Sequence, residues 1–305
     1  MYNDGMSETM VEQAAQTERE QVERFRVEAY SSASERHPLR NEDAFFMSED
    51  GRLGICDGMG GKPGSEAASR LVAGYCDEAL SRLPHELIAH ESGEEMTQIL
   101  RDAGTALLVE YGGEDSDPIG TTVAIAMVLT DPTSGEKYLQ AAHSGDTRVY
   151  VIRGGRRIAV TLDHCKVIMP YSDSVRHEIQ DAISAARYEH EIDRSYRPYL
   201  NQLNIIGSCL LNYKRDEQPR IDTMTVKLLE GDIVLLTSDG IHDNLTDQEI
   251  VTSIRAGGVQ SLVAQAQVRS RESRGDIHPK VDGKEITSYN FRPKPDDMTA
   301  VALYV

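Results

Sequence analysis

RNEDAFFMSEDGRLGICDGMGG (residues 40–61) places acids at the ends of two short apolar runs. Glu42 and Asp43 come just before the run at 44–47, and Asp57 follows the run at 53–56 and meets a glycine-rich turn. Carboxylates that are brought together repel one another and lose hydration, so a positive group is needed to hold them in place. The segment therefore predicts a cation that these acids share.

Length, charge and cysteine content exclude several classes of protein. The 305 residues are 39% hydrophobic and 27% charged, which suits a globular chain with a sizeable core. The net charge of -18 argues against nucleic acids and anionic membranes as partners, because both need a basic face on the protein. The cysteines lack CxxC spacing, so neither a zinc site nor a disulfide framework is expected.

The chain also lacks the signals of membrane or secreted proteins. No apolar run approaches the roughly 20 residues that a membrane-spanning helix needs. The N-terminal residues have neither an apolar signal core nor an Arg-rich targeting composition. We therefore expect a cytoplasmic protein that acts as a monomer.

Hydrophobic periodicity predicts an α+β fold in one domain, residues 25–305, after a polar N-terminal extension at 1–24. Strands strongly outnumber helices, and the helices fall between groups of strands, which favours two packed antiparallel sheets flanked by helices. Polar blocks at about 166–218 and 271–295 are predicted to be insertions, the second of them loop-like. Strands are predicted at 25–30, 44–47, 53–56, 121–129, 137–143, 148–152, 157–160, 224–229, 233–236 and 298–305, and helices at 65–83, 95–111, 174–187, 247–255 and 259–270.

Further acids fall at strand ends. Asp146 lies in a glycine turn, Asp239 ends an apolar run and meets Gly240, and Asp296 and Asp297 open the last strand. Each acid alone is ordinary turn chemistry. Together they suit a site at which the strand ends of a sheet converge. Oxygen ligands without His or Cys at ligand spacing favour the hard cations Mg²⁺ and Mn²⁺.

Seven motifs follow one another along the chain: RNEDA (40–44), DGMGG (57–61), GTT (120–122), GDTR (145–148), TLDH (161–164), SDGIHDNL (238–245) and DDMTAV (296–301). Through these motifs the chain resembles, from about residue 25 to residue 305, the metal-dependent type 2C serine/threonine protein phosphatases, the PPM family, and Met59 is typical of bacterial members. This resemblance implies a β-sandwich of two antiparallel sheets with α-helices on both outer faces, a four-layer αββα arrangement.

The resemblance also implies a role for each acid. Asp57 would bridge two Mn²⁺ or Mg²⁺ ions, and the backbone carbonyl of Gly58 would bind one of them. Asp239 would help to hold the second ion and, with Asp146, a weaker third. The resemblance makes Asp297 and His164 supporting residues. The implied catalytic and metal-binding acids are Asp43, Asp57, Asp239 and Asp296, with Glu42 contacting metal through water.

The phosphate-binding residue departs from the family pattern. Members usually carry an Arg four residues before the Glu of the acidic pair, and Pro38 stands there in this chain. Arg36 and Arg40 lie on either side of it, and we expect one of them to bind the substrate phosphate. The alternative is that both are ordinary surface arginines.

The implied activity is hydrolysis of phosphoserine and phosphothreonine in proteins by water activated between two ions, without a covalent intermediate. Cys165 is not followed by the Arg of a thiol phosphatase loop, which argues against cysteine chemistry. Two alternatives stay open: a regulatory or docking protein with the same fold, and a phosphatase of small phosphorylated metabolites. The family's flap, which borders the active site, corresponds to the insertion at 166–218.

Overall fold

The computed structural model describes residues 24–59, 64–85, 89–113, 116–200, 202, 204–213 and 218–305, and for residues 89–91 the backbone alone. Residues 1–23 of the predicted extension, and Gly60 and Gly61 of the second motif, lie outside this range. Among the described residues the helices, α1 to α5, are Ser65–Leu80, Ala89–Tyr111, Asp173–Ala185, Asp239–His242 and Asp247–Ser270. The strands, β1 to β15, are Arg26–Ser32, Asp43–Met47, Arg52–Met59, Gly120–Thr130, Lys137–Ser144, Arg148–Arg153, Arg156–Val160, Leu210–Leu211, Asp222–Lys227, Ile233–Thr237, Gly275–Ile277, Lys280–Val281, Lys284–Glu285, Ser288–Asn290 and Met298–Tyr304.

Two antiparallel sheets pack face to face. One has the strand order β1-β15-β10-β6-β7, and the other β2-β3-β4-β5-β9 with β8 paired to β4. Strand β4 is buried on both faces: Val123 and Ile125 point to the helices, whereas Ala124 and Ala126 point to the other sheet. This alternation follows from the two-residue period of a strand, and it explains why β4 is a continuous apolar run.

Helices cover both outer faces of the sandwich. α1 and α2 pack on the six-stranded sheet, and α5 packs on the five-stranded sheet. The predicted four-layer αββα arrangement is therefore confirmed. Nowhere in the described residues is there a helix both long enough and apolar enough to cross a bilayer.

Glycines mark one hairpin turn and one helix break that the sequence predicts. Gly154 and Gly155 have φ of 56° and 80° and form the tight turn between β6 and β7. Gly257 and Gly258 interrupt α5 with non-helical backbone angles, which agrees with the two helices predicted at 247–255 and 259–270. The first of these is capped by Thr246, the residue before the helix, whose side chain accepts a hydrogen bond from the Glu249 backbone N–H.

The prediction of a loop-like segment at 271–295 is wrong. This segment forms two small hairpins, β11 with β14 and β12 with β13. Asp282 and Gly283 have φ of 51° and 76° and turn the inner hairpin. An Asp-Gly pair is a strong hairpin signal because both residues tolerate the left-handed region, and the sequence analysis did not use it here.

The flap, residues 166–218, has a small core of its own. Helix α3 places Ile179 and Ile183 against Cys165 and Ile168, all of them buried. This packing holds α3 beside the end of the sandwich. The boundaries of the flap, 166–218, and of the polar N-terminal extension, 1–24, stay predictions.

Candidate functional site

Asp43 and Asp57 are direct partners across the β2–β3 pair. Asp43 is only 8% exposed, and its Oδ2 accepts a hydrogen bond of 2.8 Å from the Ser238 hydroxyl. Its Oδ1 is buried and has no hydrogen-bond partner among the residues that the structure describes. A buried carboxylate oxygen without a donor is costly, so this atom fits a position that faces a cation.

Gly58 allows the end of β3 to lie close to its neighbours. Its N–H donates to the Glu42 carbonyl at 3.1 Å. A Cβ at this position would stand 2.5 Å from the carbonyl oxygen of Ser65, the first residue of α1, and 2.7 Å from that of Glu42. Only glycine fits such a contact, which explains why a glycine follows Asp57.

A second glycine brings Asp239 and Asp296 together. Strand β10 ends at Thr237, and α4 begins at Asp239. A Cβ on Gly240 would stand 1.9 Å from the carbonyl oxygen of Asp297, so the start of α4 lies directly against the segment that leads into β15. Both acids therefore lie at the same end of the five-stranded sheet.

Electrostatics shows that five acids share one region, the acid cluster: Asp43, Asp57, Asp146, Asp239 and Asp296. Burial raises the pKa of Asp57 well above its usual value, and the neighbouring carboxylates of Asp43, Asp239, Asp296 and Asp146 raise it further. Burial likewise raises the pKa of Asp43 to about 8 and that of Asp239 to about 6. A set of buried and part-buried carboxylates that repel one another, with one Asp43 oxygen that has no partner among the described residues, fits a hard divalent cation.

Asp146 lies in the turn between β5 and β6 and is 5% exposed. Burial raises the pKa of its carboxyl well above the usual value, and the nearby Asp239 adds to this effect. His164 holds the turn: its Nδ1 accepts from the Gly145 backbone N–H at 3.2 Å, and its Nε2 lies 3.1 Å from Asp222. These contacts position Asp146 without bringing His164 into the acid cluster.

The two candidate phosphate-binding arginines differ in their surroundings. The Nη2 of Arg40 lies 2.7 Å from the Oε1 of Glu42, at the edge of the acid cluster. Arg36 is exposed. Burial raises the pKa of Glu42, an effect that Arg40 opposes. Arg40 is therefore the arginine that the fold brings to the cluster.

Asp297 ties the loop before β2 to the start of β15. Its two carboxylate oxygens accept from the backbone N–H groups of Ser34 at 2.6 Å and of Glu42 at 2.7 Å. His37, which the sequence analysis missed, lies 3.6 Å from the same carboxylate. Ligand atoms of His37, Glu42 and Asp297 all lie within 4.8 Å of one another. No motif included His37, so only the fold could show this grouping.

Lys294 is the second residue that the sequence analysis missed. Its Nζ donates a hydrogen bond to Asp239, and it lies 2.8 Å from Asp243 and 3.2 Å from Asp296. It stands in a polar insertion between two prolines, where the sequence shows no catalytic pattern. The structure places its ammonium directly among the predicted metal-binding acids.

Comparison with known proteins gives one family and one fold. Residues 32–272 match the family profile described as Protein phosphatase 2C. A curated relative, the serine/threonine protein phosphatase PstP of Mycobacterium tuberculosis, is 26% identical over 266 residues, which make up 86% of this chain and 46% of PstP. The chain spans about half the length of the curated relatives it matches.

Solved structures agree with the observed layers. The serine/threonine phosphatase of S. agalactiae superposes with a TM-score of 0.65 at 19% identity, over 92% of this chain and 99% of that one. The catalytic domain of PstP, solved with two manganese ions, superposes with a TM-score of 0.60 at 20% identity, over 92% and 98%. At these identities the likeness concerns the fold, and it confirms the helix-flanked sandwich.

Proposed function

This chain belongs to the protein phosphatase 2C family, and on that premise we propose that it hydrolyses phosphoserine and phosphothreonine in proteins with the help of Mn²⁺ or Mg²⁺. One observation carries the proposal. Asp43 and Asp57 pair across β2 and β3, the charges that act on Asp57 include Asp239 and Asp296, and a buried Asp43 oxygen has no partner among the described residues. Such an arrangement is costly for the fold unless cations bind to it.

Different residues of the acid cluster would bind each of the two metal ions. Asp57 would hold two ions, with the Gly58 carbonyl on one of them and with Asp239 and Asp296 on the other. When bound, the ions would lower the pKa of an attacking water molecule and neutralise the phosphate oxygens. Manganese is the first metal to test, since the PstP catalytic domain was solved with two manganese ions.

The other residues of the site would orient the ligands and the substrate. Ser238 donates to Asp43 and accepts from the Thr299 backbone N–H at 3.0 Å, so it links β2 to β15 and fixes the Asp43 carboxylate. Arg40 is the proposed phosphate-binding residue, because its guanidinium lies beside Glu42 at the edge of the cluster. Asp297 would keep the loop that carries Arg40 in place through its two backbone hydrogen bonds.

The substrate would be a phosphorylated protein. The protein would act on it as a monomer. Family membership supports the substrate class, and the flap residues Ile183 and Leu200 line a cavity together with Asp146. Small phosphorylated metabolites and a docking role without turnover are the competing hypotheses. Turnover of defined substrates separates all three.

The deciding experiment measures phosphate release from a phosphothreonine peptide, with Mn²⁺ or with EDTA. We expect release by the wild type only with Mn²⁺ and a loss of at least about 100-fold in Asp57→Asn, since this change removes a central charge from the site. Asp276→Asn is the matched control, because Asp276 is an exposed acid of β11. It should leave the rate unchanged.

The same assay shows how the proposal fails. Hydrolysis of sugar or nucleotide phosphates, but of no phosphopeptide, would assign the site to small molecules. A folded, Mn²⁺-loaded protein that hydrolyses neither class would favour the docking role. A rate that survives EDTA or the Asp57→Asn change would contradict a metal-dependent mechanism.

A further inference from the structure

Lys294 points into the acid cluster from a backbone that is held on both sides. The buried side chain of Asn244 accepts from the Lys294 backbone N–H at 3.0 Å and donates to its carbonyl at 2.8 Å. The same amide group donates to the Gly240 carbonyl at 2.8 Å, in the helix that begins at Asp239. Lys294 and α4 are therefore fixed relative to one another.

The neighbours of Lys294 restrict it further. Pro293 and Pro295 flank it, and a residue before proline is confined to extended conformations. Two positions upstream, the buried Arg292 hydrogen-bonds to backbone carbonyls that include those of Ile183 and His242, both at 2.7 Å. The ammonium is thus part of a rigid segment, with a side chain 21% exposed.

Geometry shows on which side of the cluster the ammonium lies. Lys294, Asp146 and Asp243 line one small cavity of about 90 Å³. Asp243 is one helical turn after Asp239 and lies 2.8 Å from the ammonium. Burial alone would raise the pKa of Asp243, yet the nearby Lys294 and His242 hold it below its usual range. The ammonium also contacts Asp296, at a longer distance of 3.2 Å.

We propose that Lys294 is a resident cation that neutralises the Asp146–Asp239–Asp243 side of the cluster and takes the place of a third divalent ion. The inference rests on the proposed function, because it assumes that the cluster binds metal. A divalent ion held by Asp146 and Asp239 would lie next to the ammonium, and like charges this close repel strongly. The chain would then bind two ions and not three, both of them held by Asp57, which does not line the cavity that Lys294 shares with Asp146.

Counting bound Mn²⁺ tests this proposal without an activity assay. We expect equilibrium dialysis with metal analysis to give two Mn²⁺ per wild-type chain at saturation. Lys294→Met keeps the length of the side chain but removes its charge, and it should bind one more Mn²⁺, more weakly than the other two. Lys294→Arg keeps the charge and should bind two. Lys280→Met, at an exposed lysine of β12 in the same insertion, should also bind two.

Thermal denaturation in EDTA supplies a second readout. Without metal, Lys294→Met should melt below the wild type, because the acids lose their internal counter-ion, and Mn²⁺ should raise its melting temperature more than it raises that of the wild type. Lys280→Met should behave like the wild type in both conditions.

Each outcome decides the proposal. Three Mn²⁺ in the wild type would overturn it, and this count does not require any variant to fold. An unchanged count in folded Lys294→Met would also overturn it, since Lys294 would then be an ordinary ion-pair partner. A wild type that binds two Mn²⁺ but hydrolyses no phosphopeptide would reject the proposed function and leave the role of Lys294 standing. A wild type that binds no Mn²⁺ would reject both.

Discussion

At the scale of single residues, the fold also buries ionisable groups that are not part of the acid cluster. His143 is a clear case: it is 2% exposed, its Nε2–H donates to the Leu162 carbonyl at 2.9 Å, and its ring stacks on His164 at 4.6 Å. Its Nδ1 is buried without a partner in the described part of the chain. A proton there would meet no acceptor. Accordingly, burial and the nearby His164 lower the pKa of His143 to about 4.

This pKa predicts a loss of stability in acid. The unfolded chain binds a proton at this residue below a pH of about 6.5, whereas the folded chain does so only below about 4. The contribution of neutral His143 to stability is therefore complete above pH 6.5 and is lost as the pH falls towards 4. Because two to three pKa units separate the states, the loss reaches up to about 3 kcal/mol.

Denaturant titrations at several pH values check this expectation. The stability of the wild type relative to His143→Gln should shrink between pH 6.5 and pH 4, since Gln keeps a donor for Leu162 and cannot take up the proton. His177→Gln changes an exposed histidine of α3 and is the control. A difference between wild type and His143→Gln that is constant with pH would show that His143 does not titrate in this window.

At the scale of elements, the break inside α5 depends on one glycine. Gly258 has φ 68° and ψ -165°, a combination open essentially to glycine alone. A Cβ at this position would also stand 2.3 Å from the Glu28 carboxylate. The Val259 N–H at the start of the second helical part lies 3.4 Å from that carboxylate. The glycine thus sets how the second half of α5 packs on β1.

Gly258→Ala is expected to destabilise the fold by about 1–3 kcal/mol, because alanine must be forced into this conformation. Gly74→Ala is the matched control, and its expected effect on stability has the opposite sign. Gly74 lies exposed inside α1 with open space around it, so alanine there should stabilise the protein by about 0.5–1 kcal/mol. Urea unfolding of both variants measures the two effects. Equal changes in the free energy of unfolding for the two variants would contradict the strain argued for Gly258.

At the scale of the whole molecule, Arg292 connects the insertion at 271–295 with the flap. Its guanidinium is 2% exposed and donates to the carbonyls of Ile183, Ser184 and Ala186 at the end of α3. It also donates to the carbonyl of His242, the last residue of α4. These hydrogen bonds help to satisfy buried carbonyls at the ends of the two helices, among which that of Ile183 also accepts from the Ala186 backbone N–H. One side chain therefore joins the flap, α4 and the segment that leads to Asp296.

Arg292→Met should destabilise the protein by about 3 kcal/mol or more, since it removes hydrogen-bond donors from several buried carbonyls. Hydrogen exchange should rise most strongly in α3. Arg292→Lys keeps the charge but loses the fork of donors, so it should show a smaller version of the same pattern. Arg194→Met, at an exposed arginine of the flap, should show neither effect. A uniform rise in exchange over the whole chain would mean that Arg292 does not act on the flap in particular.

The sequence by itself determined the strands of the two main sheets apart from β8, most helices and the places of the acids, because alternation, helical spacing and glycine turns are local properties of the chain. Only the tertiary structure decided which groups meet. The hydrogen bond from Ser238 to Asp43 joins residues 195 positions apart, and that from Asn244 to Lys294 joins residues 50 apart. The choice of Arg40 over Arg36 and the position of the Lys294 ammonium follow from such contacts. They depend on how the two sheets and the insertions pack, and no short segment of the chain encodes that packing.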